Sequence, residues 1–338
     1  MPSSVLQLSS PVGCDTFVAF PPAAPAGCVI FGKNSDRPAG EGQSICRYPG
    51  QEYDLNLIPT VQLQCTYISI PQVRKTHGVL VSQLEWMYGA EMGTNDCGVV
   101  IGNEAVWTKA DYEPPKSALV GMDLVRLGLE RGATAHQAME CITSLLETFG
   151  QSGPCAQDDP DFEYHNSFLI VDSTEAWILD TAGRHWVAKR HTNGVCNISN
   201  NLTIRDDYDK SSRGLKEHAR QQGFLMQNDN GHDQTAPSKL DFAKVFSDGP
   251  ADPSKDSRQV KGRKMLDQHA DKGTLTVQAM MEILRDHDSG VCMHGGFETT
   301  ASMVTEWHVT VDGPPSCRHW MTGKPHPCKS EFLEQTFP

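Results

Sequence analysis

Positive charge is scarce: 29 lysines and arginines stand against 42 aspartates and glutamates, a formal net charge of -13. A nucleic-acid groove needs a basic stripe and an anionic membrane surface needs basic anchors, so both partner classes are disfavoured. No apolar run reaches the ~20 residues that span a bilayer. The first twelve residues also lack the basic start and apolar run of a secretory signal. A cytoplasmic location is therefore expected, and the formal glycosylation sequons at Asn197 and Asn201 carry no weight. Missing too are a Cys-x-x-Cys pair, a His-Glu-x-x-His helix and a phosphate loop, since Gly93, Gly98 and Gly102 have the wrong spacing and flanks. The 11 cysteines are odd in number and scattered from Cys14 to Cys328. That pattern argues for reduced thiols and against a disulfide framework or structural zinc. No metal and no cofactor is expected, and Asp286-His287-Asp288 reads as a frayed helix end.

What is present suits a packed core, because a 338-residue chain with 38% hydrophobic content can bury one large domain or two modest ones. Residues 14–20 alternate in character, Pro21 to Pro25 reads as a turn, and 28–38 reads as a returning strand with a polar tip. Further strands are expected over 63–70, 78–83, 99–101, 166–172, 175–180, 185–190, 195–199, 300–311 and 319–321, with a turn at 94–98. The period becomes helical over 118–131 and 134–149, where Thr134 is a plausible cap, and Thr276 caps a helix to about residue 287. These helices should cover strands, which points to an α+β layered fold. Residues 205–256 are charged, rich in Gly, Asn and Asp and poor in apolar periodicity apart from 240–246, and read as a mobile insertion. Residues 1–13 read as a removable leader and 326–338 as a loose tail, leaving 14–325 as a single domain.

The first hairpin carries the chemistry. A cut at Gly13-Cys14 would place a thiol and an α-amine on one residue. The amine titrates near ~7.7–8.0 and the thiol near ~8.5, so the pair can exchange a proton near neutral pH without a histidine. Without that cut, Cys14 is one cysteine on a buried strand, where free cysteine behaves as a small hydrophobe. Asp36, at the polar tip, could hold the new ammonium by charge-assisted hydrogen bonds, or could simply fix a turn. Arg37, Glu91 and Glu104 are candidate substrate contacts, the two glutamates for the free amine of a peptide; solvated surface charge is their alternative. His77 and His165 lie beside strands and could reach a thiol, although isolated histidines are more often structural.

The segments Cys14-Asp-Thr-Phe-Val18, Lys33-Asn-Ser-Asp-Arg-Pro38, Gly102-Asn-Glu-Ala-Val-Trp-Thr-Lys109, Asn197-Ile-Ser-Asn-Asn201 and Thr299-Thr-Ala-Ser-Met-Val304 resemble the secernins. Those belong with the C69 dipeptidases among N-terminal-nucleophile hydrolases. The resemblance runs from about residue 14 to about 322. It implies a four-layer αββα sandwich, Cys14 as nucleophile once its amine is free, and dipeptides as nominal substrates. It also implies that the Asn200 side chain and the Asn103 backbone hold the oxyanion, with Asn201 the adjacent possibility. Related amide hydrolases usually carry arginine three residues before the aspartate; this chain has Lys33, a candidate substrate contact that offers a point charge in place of a planar fork, so substrate-end contacts are open. Secernins are associated with regulated exocytosis, which implies a second reading through protein partners, and cousins in the superfamily suggest non-peptide acyl amides as a third. Secernins typically run longer than this chain, so a truncated or variant product is expected.

Overall fold

The computed structural model describes residues 13–54, 56–57, 61–225, 239–310, 313 and 315–337. The expected leader lies outside them apart from Gly13. In chain order come β1 (Asp15–Ala19), β2 (Cys28–Pro38), β3 (Gln43–Tyr48), β4 (Gln62–Gln64), β5 (Ser69–Pro71), β6 (Val79–Leu84), β7 (Met92–Asn95) and β8 (Val100–Val106). Then follow α1 (Gly121–Arg131), α2 (Ala135–Phe149), β9 (His165–Val171), β10 (Ala176–Ala182), β11 (His185–His191), β12 (Val195–Ile198), β13 (Lys210–Ser211) and α3 (Leu215–Gln221). The chain closes with α4 (Phe242–Phe246), α5 (Arg258–Ala270), α6 (Val277–Leu284), β14 (Phe297–His308), β15 (Ser316–Thr322) and β16 (Leu333–Gln335).

Two antiparallel sheets dominate, one in the order β12-β1-β2-β14-β15-β16 and the other β13-β11-β10-β9-β8-β7-β6-β3. Alternation along each strand builds four layers, because neighbouring side chains point to opposite faces. Val18 and Phe31 face Leu80, Val100, Leu169 and Ile178 in a core between the sheets. Phe17, Ala19 and Ile30 turn the other way, onto Leu266 of α5 and Met280 and Leu284 of α6. Ile101, Phe168 and Ile170 turn outward onto Leu124, Leu127, Ile142 and Leu146 of α1 and α2. The expected αββα layering is therefore observed. Both sheets are buried on two faces, which explains why their strands read as apolar runs.

Several elements differ from the expectation. Residues 94–98 are only partly a turn, since Met92–Asn95 is a strand paired with β6 and β8. α5 was not expected, because RQVKGRKMLDQHA shows little apolar periodicity; its one legible signal is Ser257, whose side chain accepts from Val260 N. The insertion reading of 205–256 does not fit its described residues. Tyr208, Leu215, Leu240, Phe242 and Phe246 are buried in the core between the sheets, and of these only the stretch 240–246 stands out as apolar in the sequence. The tail is likewise docked: β16 pairs with β15, and the Arg285 guanidinium donates to Pro327 O at 2.8 Å and Ser330 O at 3.3 Å. Among the described residues no helix is long and apolar enough to cross a membrane.

Candidate active site

The β1–β2 hairpin sets the geometry. Its register pairs Asp15 with Asn34 and Thr16 with Lys33, so the polar tip returns beside Cys14. Asp36 N donates to Cys14 Sγ at 3.3 Å. Gly13, which precedes the thiol, has φ +136°, a region that favours glycine, and a Cβ there would lie 2.3 Å from Asn200 Nδ2. A narrow cavity of about 10 Å³ opens at this point, lined among others by Gly13, Cys14, Asp36, Arg37, Glu91 and Asn103. That is room for about one water. Aromatic rings of Phe162, Tyr164 and Phe297 form its other wall.

The hairpin tip is crossed by buried ion pairs. Lys33 Nζ donates to Asn103 O at 2.6 Å and lies 3.4 Å from Glu104 Oε1. Thr16 Oγ1 donates to the same Glu104 oxygen. Lys33 and Glu104 are both fully buried and do not line the cavity, so the structure does not support either as a substrate contact: each is neutralised by the other behind the strand. Arg37 does reach the cavity, but its guanidinium is occupied by Glu41 at 2.6 Å, by Glu91 at 3.4 Å and by Cys155 O. Glu91 also accepts from Ser35 Oγ at 3.0 Å. Asn201 lies outside, donating to Gln259 Oε1 at 3.3 Å. His77 pairs with Asp96 at 3.1 Å, and His165 bonds Thr108 Oγ1 at 2.8 Å. His77 also lies 3.3 Å from Cys97 Sγ, but the Cys14 sulfur meets Asp36 and neither histidine.

Asn103, in the middle of β8, lines the cavity, and Asn200, just after β12, packs against Gly13. Asn103, on β8, donates through Nδ2 to Asn166 Oδ1 at 2.9 Å. Asn200, just after β12, donates to Ala105 O at 2.9 Å, which leaves one N–H of its amide for another acceptor. The residue that sequence reasoning missed is Arg258, at the start of α5. It donates to Asp15 Oδ2 at 2.8 Å, to Gly13 O at 2.6 Å and to Asn200 Oδ1. One guanidinium thus ties the carbonyl before Cys14, the residue after it and Asn200 together. The Ser257 cap was the only trace of this helix start in the sequence.

Burial dominates the local titration. It pushes the Cys14 thiol well up, against the pull of Lys33, with the carboxylates Glu104, Glu91 and Asp36 adding to the rise. The uncut chain therefore holds this thiol in its protonated form. Burial also raises Asp36 to about 7, offset in part by Arg258 and by the Thr299 hydroxyl, which donates to its Oδ1 at 2.5 Å. The other oxygen, Oδ2, has no partner among the described residues. Because the folded chain holds this proton more tightly than the unfolded one, the associated stability is complete below about pH 4 and lost as pH rises through about 7. In an uncleaved Cys14→Ala chain, Asp36→Asn is expected to flatten the fall in melting temperature across that window. An unaltered slope would contradict this assignment.

A model of peptidase family C69 matches residues 58–272, the stretch from before β4 to just past α5. The chain belongs to this family. The C69 match includes Asn103, Asn200 and Arg258 but begins after the β1–β2 hairpin. Two structures of mutant forms of the conjugated bile acid hydrolase from Clostridium perfringens are similar to the C69 chain over 96% of its length and 97% of theirs, with 14% identity and TM-scores of 0.50 and 0.51. Penicillin V acylase from Agrobacterium tumefaciens aligns over 91% of the chain and 82% of its own at 11% identity, with a TM-score of 0.46. The fold is that of the N-terminal-nucleophile hydrolases.

Proposed function

We propose that this C69 protein, read as secernin-like on the motifs quoted above, is a cysteine-type amide hydrolase of dipeptides. Cys14 becomes its N-terminal nucleophile when residues 1–13 are removed. The observation that carries this reading is that Gly13 and Cys14 both line the cavity: the residue to be cut away fills the space beside the thiol.

Removal can be self-catalysed. Cys14 Sγ attacks the Gly13 carbonyl carbon, and the thiol proton passes to the departing amide nitrogen, which becomes the α-amine. The negative charge that develops on Gly13 O meets the Arg258 donor at 2.6 Å. Water then hydrolyses the thioester, releasing the leader as a carboxylic acid and restoring the thiol. The unpartnered Asp36 Oδ2 gives the new ammonium an acceptor.

In turnover the α-amine accepts the thiol proton as Sγ attacks the substrate carbonyl. The free N–H of Asn200 and the backbone at Asn103 hold the oxyanion. The protonated amine product leaves, and a water activated by the α-amine hydrolyses the thioester. Glu91, held by Arg37, keeps lone pairs for the amino group of a dipeptide, and the aromatic wall suits an apolar side chain. A panel of dipeptides and their N-acylated counterparts tests the substrate class. Preference for the free amine by more than about tenfold is expected, since a buried carboxylate without its partner is costly. Faster cleavage of N-acyl or non-peptide amides would replace the dipeptidase with an acyl-amide hydrolase. Processed protein that turns over neither set would favour the role through partners.

A further inference from the structure

Four side chains with metal-binding atoms meet far from one another in sequence, where the loop after α6 faces the loop before β16. The ligand atoms of His287, Cys292, His294 and Cys328 all lie within 4.8 Å of one another. His294 Nε2 is the common vertex: it lies 3.2 Å from His287 Nε2, 3.5 Å from Cys292 Sγ and 3.5 Å from Cys328 Sγ. A single ring nitrogen carries at most one proton, so it cannot make three hydrogen bonds as a donor. Three close neighbours around it are the pattern of ligands turned towards a shared cation.

The three edges that meet at His294 agree with one geometry. With bonds of about 2.3 Å to sulfur and about 2.0 Å to nitrogen, a tetrahedral zinc ion sets its ligands about 3.3 Å apart for two nitrogens and about 3.5 Å for nitrogen and sulfur. Two thiolates and two neutral imidazoles also balance a doubly charged ion, leaving no net charge on a partly buried site. Soft sulfur with imidazole selects zinc over calcium or magnesium, which take oxygen ligands. We propose that His287, Cys292, His294 and Cys328 form a tetrahedral zinc site that fastens the loop before β16 to the loop after α6. On binding, the two thiols release their protons to solvent. Sequence reading alone pointed the other way because the spacing, His-x4-Cys-x-His and then a distant cysteine, matches no compact zinc pattern.

The two fastened loops both hold Thr299. Met293 N donates to Thr299 Oγ1 at 2.9 Å, and His326 N donates to Thr299 O at 2.7 Å. Thr299 Oγ1 in turn donates to Asp36. The zinc therefore braces, through Thr299, the wall of the nucleophile's cavity, and touches no reacting atom.

Elemental analysis of the full chain, purified without chelator and dialysed after incubation with zinc, is expected to find about one zinc per chain. Replacement by cobalt(II) should give the intense visible bands of a tetrahedral thiolate complex. Cys328→Ser, at the outer edge of the site, and Cys292→Ser, at its buried side, should each lower retained zinc at least tenfold; the outer variant serves if the inner one does not fold. Less than about a tenth of an equivalent in the unaltered chain would overturn the proposal. So would full zinc retention in both variants, or a metal-free protein two hydrogens lighter than the reduced chain, which would mark a Cys292–Cys328 disulfide.

Discussion

Cys14→Ala is expected to leave the leader attached and to lower amide hydrolysis at least about a thousandfold, since removal of a nucleophile leaves only binding and oxyanion stabilisation. The two losses should appear together because one sulfur serves both reactions. The variant should fold, as alanine fills most of the same buried position just before β1 and removes only the contacts of the sulfur with the Asp36 backbone. Cys14→Ser sharpens the test. A hydroxyl retains a weak nucleophile in the same place, so slow processing over days with little turnover is the expected intermediate result. Normal hydrolysis by the alanine variant would remove Cys14 from the mechanism.

Arg258→Met is expected to damage both stability and processing, by different routes. Asp15 is fully buried and has Arg258 as its charged partner at 2.8 Å. Breaking such a pair from one side costs about 3–5 kcal/mol, because a carboxylate is left without compensation. Burial already raises the pKa of Asp15 against the pull of Arg258, so proton uptake by Asp15 should place the cost at the lower end. Processing should slow by about 10²–10³, the usual effect of deleting one oxyanion donor. The double variant Asp15→Asn with Arg258→Met separates the two effects. It should regain much of the stability while leader removal stays slow. Recovery of both would make Arg258 a purely structural partner of Asp15.

The hairpin that carries Cys14 was legible because alternation, a proline turn and a polar tip are local signals. They also placed Asp36 beside the thiol, since antiparallel return leaves little choice once the turn is known. Asn103 and Asn200 were reachable only through family resemblance: nothing local distinguishes a strand-end asparagine near a thiol from one that fixes a turn. That Lys33 and Glu104 are buried as a pair could not be seen from either charge taken singly. Their mutual neutralisation depends on β2 and β8 lying in different sheets that face each other. Arg258 was missed for a related reason. Its helix buries few apolar residues, and its partners at Gly13, Asp15 and Asn200 come from distant parts of the chain. The four metal-binding side chains share that character, with Cys328 separated from His294 by all of β14 and β15.

The most direct measurement is the intact mass of the chain as it accumulates in active preparations, paired with sequencing of its first residues. A free Cys14 at the start of the molecules that hydrolyse dipeptides is the predicted result. Undiminished hydrolysis by molecules that all still carry Gly13 and the residues before it would contradict an amine-assisted thiol at this position.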